Sequence, residues 1–281
     1  MHSSDHTDFF SRGFTHGGVF HADDIFSTAF LRILNPEIQI ERGNTVPQSF
    51  DGIVFDIGGG QFDHHQKDSR IRTNGVPYAA FGLLWEQFGT RLFSEEDVRD
   101  FDAAFIQPLD RSDNTGEKNM ICQIVADFNP SWQDETDQAE AFEQAVVFAK
   151  GILERRFQHR KAEQNAFDIV RKQAEKCGSG ILYLERAMPW KEAVKDLDIY
   201  YVIYPSIRGG YNIQAVPLQQ DQEQLKRPFP ESWRGLDAGK LSVLTGVEDF
   251  MFCHHAGFLC AVKTLDSAFL IAELALKNKE N

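Results

Sequence analysis

GIVFDIGGGQFDHHQ, residues 52–66, is the stretch of sequence that decides the fold. It opens with an apolar run that carries one acid, Asp56, near its end, and a run of glycines follows. Such an apolar run is typical of a strand that is buried on both faces of a parallel sheet. Because ligands of open α/β sheets bind beyond the carboxyl ends of the strands, we expect a functional site around Asp56.

Helical and extended patterns alternate on both sides of this stretch. Helices are predicted at 22–34, 77–89, 94–105, 138–176, 237–244 and 264–277, and strands at 13–16, 38–42, 181–185, 199–205, 211–217 and 250–253. A polar loop is predicted at 107–116, where the sequence is QPLDRSDNTG. This alternation favours an α/β protein with a parallel-sheet N-terminal domain, residues 8–176, and a smaller α+β C-terminal domain, residues 178–281.

The bulk composition is that of an ordinary globular protein, with 281 residues, of which 42% are hydrophobic and 25% charged. No apolar run approaches the roughly 18 residues that cross a bilayer, so we expect no membrane contact. The N-terminal residues lack the pattern of a secretion signal or a transit peptide. The cysteines show no CxxC pairing. We therefore expect a reduced, cytoplasmic protein whose thiols are buried structural groups.

The net charge of −13 weighs against one class of nucleic-acid binding. A broad grip on duplex nucleic acid rests on Lys and Arg side chains that neutralise phosphates, and this chain is strongly acidic. An enzyme that captures one strand end in a local cationic pocket remains compatible with this charge. Part of the negative charge would also be offset by bound cations if acids serve as metal ligands.

FTHGGVFHADD, residues 14–24, is the first group of candidate metal ligands. His16, His21 and Asp23 follow a loop whose glycines let the backbone turn tightly, so that the side chains can converge. Asp24 opens the predicted helix, where an acid complements the helix N-terminus, and metal ligation is its less favoured alternative. A surface histidine and a helix cap are the alternative interpretation of His16 and Asp23.

The second group follows the predicted strand and strengthens the first. Asp56 offers two oxygens and can bridge two cations, and the run Asp63, His64 and His65 supplies one more imidazole ligand and a second histidine that points elsewhere. Carboxylate and imidazole together suit Mn, Fe, Zn or Mg. A pair of such ions can activate water and clamp both oxygens of an in-line phosphoryl displacement.

Asp110 and Asp113, in the predicted polar loop, are candidates to complete the shell of the second metal. We expect at least one of them to bind metal, with Asp113 favoured over Asp110. The alternative is turn chemistry, because Asp and Asn often hydrogen-bond to their own backbone.

The motif CHHAGFLCAVKT near the C-terminus is a candidate anion site. His254 and Gly257 lie in its turn-like part, and Lys263 precedes a predicted helix whose N-terminus favours phosphate. Arg208 and Arg234 are loop arginines that suit phosphate or carboxylate. A core strand with an incidental histidine pair, and solvated turn charges, are the alternatives.

Seven motifs, in one order from residue 14 onward, resemble a known family. They are FTHGGVFHADD, FDIGGGQFDHHQ, NGVPYAAFGLLW, PLDRSDN, YNIQAVP, FPESWRGL and FCHHAGF followed by KT. The chain resembles the melanocyte-proliferating-gene family of metal-dependent hydrolases, which are related to DHH phosphoesterases. The resemblance implies a DHH-like domain that holds metals and a C-terminal domain that closes over the substrate.

The resemblance also implies roles for single residues. His16 and Asp23 would bind metal, with His21 at a place where DHH enzymes usually have an aspartate. Asp56 would bridge and His64 would ligate. His65 would face the scissile phosphate, Asp113 or Asp110 would fill a further ligand position, and His254 with Gly257 would bind substrate. The His21 departure makes the first metal site less anionic.

The motifs predict a divalent-metal-dependent phosphodiesterase in which two metals activate a water. The family resemblance implies that it is a 3′-to-5′ exonuclease that acts on RNA or short oligonucleotides. Asp63 and His65 are the predicted catalytic residues. Two Mn²⁺ ions are the expected cofactors, with Mg²⁺, Co²⁺ or Zn²⁺ as alternatives, and a homodimer is left open. The alternative functions are a small-molecule phosphatase or nucleotide phosphodiesterase and, less favoured, an inactive metal-bound interaction protein.

Overall fold

The strand at the centre of the decisive stretch lies in a three-stranded parallel sheet. The structure is a computed structural model that describes residues 11–218, 221 and 224–278. The sheet has the order β2-β1-β3, formed by β1 (Arg12–His16), β2 (Gln39–Gly43) and β3 (Ile53–Val54). All pairings are parallel, with Phe14 of β1 opposite Val54 of β3. Because the strands are parallel, His16 at the end of β1 and Asp56 just after β3 lie at the same end of the sheet, where the carboxyl ends of the strands meet.

The first helix, α1 (Ala22–Leu34), begins and ends where the sequence predicts. Its apolar positions Ile25, Phe26 and Phe30 are fully buried, as expected for a helix that packs on a sheet. At its start, Asp24 accepts a hydrogen bond from the backbone N–H of His21 over 2.8 Å. The helix therefore fixes the residues that directly follow the loop after β1.

The second helix, α2 (Ala80–Phe88), begins three residues later than the predicted start at Pro77. The carboxylate of Asp23 accepts hydrogen bonds from the backbone N–H groups of Ala80 and Phe81, over 2.9 and 2.7 Å. These are donors that a helix cannot satisfy within itself, so the side chain of Asp23 caps α2. The side chain of Asp23 therefore links the starts of α1 and α2 beside the carboxyl ends of the parallel strands.

The prediction of a polar loop at 107–116 is wrong. After α3 (Glu95–Phe101), a π-helical turn (Asp102–Ile106) leads directly into α4 (Gln107–Thr115). The Asp, Ser and Asn residues that suggested a turn lie on this helix, whose buried face carries Leu109 and Asp110. Packing of this face outweighs the weak local preference, and Gly116 then ends the helix with a φ of 72°.

A single hydrophobic core lies beneath these helices in the first part of the chain. It includes residues of α5 (Met120–Ala126), which the sequence analysis did not predict, and of α6 (Gln138–Ala174), which it did. Trp85 is buried at its centre, where its ring stacks on Phe157, and its indole N–H donates to the carbonyl of Val98. The core holds the sheet and the helix starts in place.

A five-stranded sheet forms the second part of the chain, in the order β4-β5-β6-β8-β7. Its strands are β4 (Ile181–Tyr183), β5 (Tyr201–Pro205), β6 (Tyr211–Ala215), β7 (Phe250–Cys253) and β8 (Leu259–Val262). Only β4 and β5 pair in parallel. The accompanying helices are α7 (Lys191–Val194), α8 (Ala238–Thr245) and α9 (Leu265–Lys277). The protein is thus of mixed α/β class.

The chain divides into two compact units, Met1–Phe157 and Gln158–Asn281. This division falls within α6, and the domain boundary drawn at residues 176–178 stays a prediction. Among the residues that the structure describes, no helix is both long and apolar enough to cross a membrane.

Candidate metal centre

The candidate site is a cleft of about 470 Å³ in the first unit, beyond the carboxyl ends of β1 and β3. It is lined by His16, Val19, His21, Asp56, Ile57, Gly58, Asp63, His65 and Asp113. Most of the charged lining residues are those that the sequence singled out. The cleft is therefore the place where the two N-terminal motifs meet.

His16, at the end of β1, directs one ring nitrogen at two carboxylates. Its Nδ1 lies 3.0 Å from the carbonyl oxygen of Gly17, which can only accept, so Nδ1 carries the proton. Its Nε2 lies 3.4 Å from Asp24 Oδ2 and 3.3 Å from Asp56 Oδ2. A nitrogen lone pair cannot face two anionic oxygens unless a proton or a metal ion lies between them.

The two carboxylates beside His16 favour its protonated, cationic form. The hydrogen bond to Asp56 and the charge of Asp24 raise the pKa of His16 to about 9, although burial opposes the shift. Metal binding requires a neutral imidazole, so a bound ion would replace this proton.

His64 makes the same arrangement on the other side of the cleft. Its Nε2 lies 3.1 Å from Asp56 Oδ1, 3.3 Å from Asp113 Oδ2 and 3.7 Å from Asp23 Oδ2. Burial lowers the pKa of His64, but the hydrogen bond to Asp56 and the charge of Asp113 outweigh it and raise the pKa. Three carboxylates therefore converge on one imidazole nitrogen.

Asn114 is a functional residue that the sequence analysis missed. Its amide nitrogen donates to the carbonyls of Tyr78 and Asp110, over 3.1 and 2.9 Å, so its Oδ1 faces His64 Nδ1 at 3.2 Å. Because this oxygen can only accept, His64 carries its proton on Nδ1 and directs the Nε2 lone pair at the acids. Its position beside Asp113 was the only signal in the sequence.

Asp56 lies between the two histidines. Its Oδ2 faces His16 and its Oδ1 faces His64, as a carboxylate that bridges two cations would. Its φ of 57° is in the left-handed region, which non-glycine residues rarely adopt. Burial raises the pKa of Asp56, but hydrogen bonds from His16 and His64 outweigh it and lower the pKa to about 2.

Asp23 is a buried carboxyl whose charged form the surrounding protein disfavours. Burial, together with the charges of Asp56 and Asp113, raises the pKa of Asp23 well above its usual range. Both of its oxygens already accept backbone hydrogen bonds from α2. Bound cations would stabilise the charged forms of these closely spaced, buried carboxylates.

Asp63 positions His65 at the exposed side of the cleft. One carboxylate oxygen of Asp63 accepts from the N–H of Gly59 over 2.7 Å, and the other lies 2.8 Å from His65 Nδ1. The side chain of His65 is 64% exposed. The carboxylate thus holds a ring that remains accessible from the cleft.

The donor atoms fit divalent cations in type and spacing. Three groups have all their donor atoms within 4.8 Å of one another: His16 with Asp24 and Asp56; Asp23 with His64 and Asp113; and Asp56 with His64 and His65. Ligand atoms about 2.1 Å from an ion lie about 3.0–3.4 Å from each other. Several of the observed distances are within this range, and the oxygen and nitrogen donors suit Mn, Mg or Zn.

Two predicted ligands lie outside these groups within the described residues. His21 is exposed at the start of α1, and its ring centroid is 5.9 Å from that of His16. Asp110 is buried against the guanidinium of Arg72, with Asp110 Oδ2 2.8 Å from Arg72 Nη2. Of the two acids on α4, Asp113 is therefore the one that the structure brings to the cleft.

Three predicted substrate-binding residues lie together in the second unit. Gly257, in the turn between β7 and β8, has a φ of 70°, and its N–H donates to the carbonyl of His254 over 2.8 Å. The guanidinium of Arg234 packs directly on Gly257 and donates from Nε to the carbonyl of Phe229 over 2.9 Å. Any side chain at position 257 would displace Arg234.

Arg208 and Lys263 lie at the opposite end of the same strands. Arg208 is exposed in the turn between β5 and β6, and Lys263 follows β8 on the exposed surface. A Cβ on Gly210, at the end of this turn, would collide with the carbonyl oxygen of Val262 and lie 3.2 Å from the Cα of Lys263. The length of β8 separates this pair from the turn at Gly257, so the five predicted residues form two separate sets.

Comparison with known proteins places these features in one family. Residues 14–276 match the profile of MYG1_exonuc, described as uncharacterised protein family UPF0160. The chain is 29% identical to the human MYG1 exonuclease, over 94% of this chain and 85% of the human protein. It is 27% identical to a MYG1 protein of Schizosaccharomyces pombe (95% and 98% covered) and 25% identical to one of Saccharomyces cerevisiae (93% and 94% covered). No solved structure matches it significantly. The resemblance noted in the motifs is confirmed, and the chain belongs to the MYG1 family.

Proposed function

We propose that this protein is a divalent-metal-dependent phosphodiesterase that removes nucleotides from the 3′ end of RNA or short oligonucleotides. The observation that carries the proposal is the position of Asp56, whose two oxygens face two separate groups of metal ligands. Two-metal sites of this kind are typical of enzymes that cleave phosphate esters. The names of the mammalian relatives, MYG1 exonuclease, support a nuclease.

A DHH-like arrangement is part of the proposal. It is supported by the parallel sheet of the first unit and by the Asp63-His64-His65 run that follows its last strand. In this arrangement the turn at His254 and Gly257, with Arg234, binds a phosphate of the substrate. The placement of the enzyme in the cytoplasm stays a prediction.

Two ions would be held by residues from both N-terminal motifs. His16 and Asp56 contribute to the first site, and Asp23, Asp56, His64 and Asp113 contribute to the second. When bound, a pair of divalent ions lowers the pKa of water and offsets the charge of a phosphate in an in-line displacement. We expect two Mn²⁺ ions, with Mg²⁺, Co²⁺ or Zn²⁺ as alternatives.

His65 stabilises the transition state through a hydrogen bond to the substrate phosphate. Asp63 holds its Nδ1, so the ring keeps one orientation while the rest of it remains exposed. In its doubly protonated form this ring donates from Nδ1 to Asp63 and from Nε2 to a non-bridging oxygen of the substrate phosphate, where negative charge develops. Loss of one such donor typically costs about 10²–10³ in kcat.

The direct test is cleavage of short RNA and single-stranded DNA, labelled at either end, by protein loaded with Mn²⁺, Mg²⁺, Co²⁺ or Zn²⁺. We expect stepwise release of nucleotides from the 3′ end. His65→Ala should lower turnover by about 100-fold or more while the bound metal stays the same. Absence of cleavage of every substrate by protein that holds its metal would contradict the proposal.

A nucleotide phosphodiesterase or small-molecule phosphatase is the second candidate. The net charge of −13 favours it, because long strands bind best to basic surfaces. Turnover of dinucleotides, cyclic dinucleotides and pyrophosphate should be compared with that of longer strands. A preference for two-nucleotide substrates would favour this second candidate over an exonuclease.

A further inference from the structure

One carboxylate oxygen of Asp24 has a structural role at the start of helix α1. This oxygen, Oδ1, accepts the backbone N–H of His21 over 2.8 Å at the start of the helix. An acid in a first helical turn is expected to take this role. The interaction occupies only one of the two oxygens, and the whole side chain is buried.

Among the residues that the structure describes, the other oxygen of Asp24 has no hydrogen-bond partner. Its Oδ2 is fully buried and lies 3.4 Å from His16 Nε2, with the guanidinium of Arg42 farther away at 3.9 Å. A buried carboxylate oxygen without a partner costs folding free energy, and more so when it is charged. A cation bound between this oxygen and His16 Nε2 would offset that cost.

The spacing around this oxygen is that of ligands around one ion. His16 Nε2 is 3.4 Å from Asp24 Oδ2 and 3.3 Å from Asp56 Oδ2, and all three atoms belong to one compact group. Because His16 carries its proton on Nδ1, its Nε2 lone pair points into the same gap.

His21, the residue expected at this ligand position, lies elsewhere. It is exposed at the rim of the cleft and belongs to none of the groups of clustered donors in the described part of the chain. Its backbone N–H is the group that Asp24 Oδ1 accepts. In the described part of the chain, Asp24 therefore lies among the clustered donors and His21 does not.

We propose that Asp24, and not His21, is a ligand of the first metal ion, together with His16 and Asp56. The proposal rests on the two-metal function proposed above and completes the first of its two sites. It also changes the expected chemistry, because two carboxylates and one imidazole form a more anionic site than one carboxylate and two imidazoles. Such a site favours Mn²⁺ or Mg²⁺ over softer ions.

The test compares Asp24→Asn with His21→Ala by counting Mn²⁺ per chain after equilibrium dialysis, with elemental analysis. We expect two ions in the wild-type protein and in His21→Ala. In Asp24→Asn we expect one ion at the same free Mn²⁺, because the first site loses affinity by at least about 100-fold. The amide is isosteric, and its nitrogen can donate to His16 Nε2, so the variant should fold.

Two results would overturn the assignment: Asp24→Asn that keeps both ions with wild-type affinity, or His21→Ala that loses one. Asp24→Ser, whose smaller side chain leaves room for water, repeats the measurement if the amide variant does not fold. The wild-type protein gives an independent answer, since anomalous diffraction of Mn²⁺-loaded crystals should show an ion within about 2.0–2.2 Å of Asp24 Oδ2.

Failure of this assignment and failure of the proposed function have different signatures. Wild-type protein that binds two ions but cleaves neither RNA nor dinucleotides would contradict the function and leave the ligand assignment intact. An active enzyme whose metal content is unchanged by Asp24→Asn would contradict the ligand assignment alone.

Discussion

At the scale of single residues, the neighbours of the charged groups decide how those groups can act. Asn114 carries no charge, yet its amide fixes which nitrogen of His64 faces Asp56 and the other acids. Such outer partners typically change metal affinity or activity by about 10- to 100-fold when they are removed.

We therefore expect Asn114→Ala to weaken Mn²⁺ binding by about 10- to 100-fold, because His64 would lose both its orientation and its preferred tautomer. Isothermal titration with Mn²⁺ measures this change. Arg111→Ala, an exposed position on the same helix, is the matched control and should bind as the wild type does. Equal affinities of the two variants would show that Asn114 does not position His64.

The residue types and their spacing were enough to predict most of the residues that converge. His16, Asp23, Asp56, His64 and Asp113 lie in the clustered groups. For Asp110 the sequence could not show the partner that a distant segment supplies. Asp110 looked equivalent to Asp113, but a buried guanidinium from another part of the chain, that of Arg72, occupies it.

At the scale of elements, helix α4 shows why local patterns mislead near a site. Its Asp, Ser and Asn residues favour turns when they are considered alone. In the protein they lie on a helix whose buried face packs on the core, and this packing decides the conformation. Long apolar periodicity, as in α1 and α6, was a better guide, because packing and local preference agree there.

Close packing of α2 against α4 makes one glycine indispensable. A Cβ on Gly82 would collide with the carboxylate of Asp110 and the guanidinium of Arg72. We expect Gly82→Ala to lower the free energy of unfolding by about 1–3 kcal/mol, as overpacking does. Gly151→Ala on α6 should raise it by up to about 1 kcal/mol, because in the described part of the chain the new Cβ meets no atom within 4 Å beyond the adjacent residues and the nearby helix backbone. Urea denaturation of both variants tests this, and a neutral Gly82→Ala would contradict it.

The start of α9 should depend on pH through Asp249. Asp249 Oδ2 accepts from the N–H and the hydroxyl of Thr264, both over 2.8 Å. Burial raises the pKa of Asp249, but the hydrogen bonds from Ser267 and Thr264 outweigh it and lower the pKa. A carboxyl with a depressed pKa in the folded state stabilises the fold above its unfolded pKa of about 3.9 and loses this contribution as pH falls through the folded pKa.

Asp249→Asn should therefore be less stable than the wild type at pH 7, by about 1 kcal/mol, and the difference should shrink below about pH 4. Thermal unfolding over this pH range provides the measurement. Glu248→Gln, at the exposed neighbouring position, serves as the control. A difference that is the same at pH 7 and pH 3 would argue against the role of the ionised carboxylate.

At the scale of the whole molecule, bound cations should contribute to stability. The first unit buries Asp23, Asp24 and Asp56 around one cleft. A ligand that binds only the folded state stabilises it by about 2.7 kcal/mol at one hundred times its Kd. We expect a chelator to lower the Tm and Mn²⁺ to restore it, and His64→Ala to reduce this response. A Tm that is indifferent to both treatments would contradict a metal centre in this cleft.

The backbone of Asp56 has a consequence for which mutations the protein can tolerate. A φ of 57° suits glycine, and among other residues it suits asparagine and aspartate, whose short polar side chains bond locally. Glutamate would keep the negative charge at this position, but it does not favour the left-handed backbone conformation that Asp56 adopts. In a deep mutational scan for activity, aspartate should therefore be the only acid accepted at position 56. Position 113 lies on a regular helix and should accept glutamate more readily, so the shape of the main chain restricts the evolution of this site as much as its charge does.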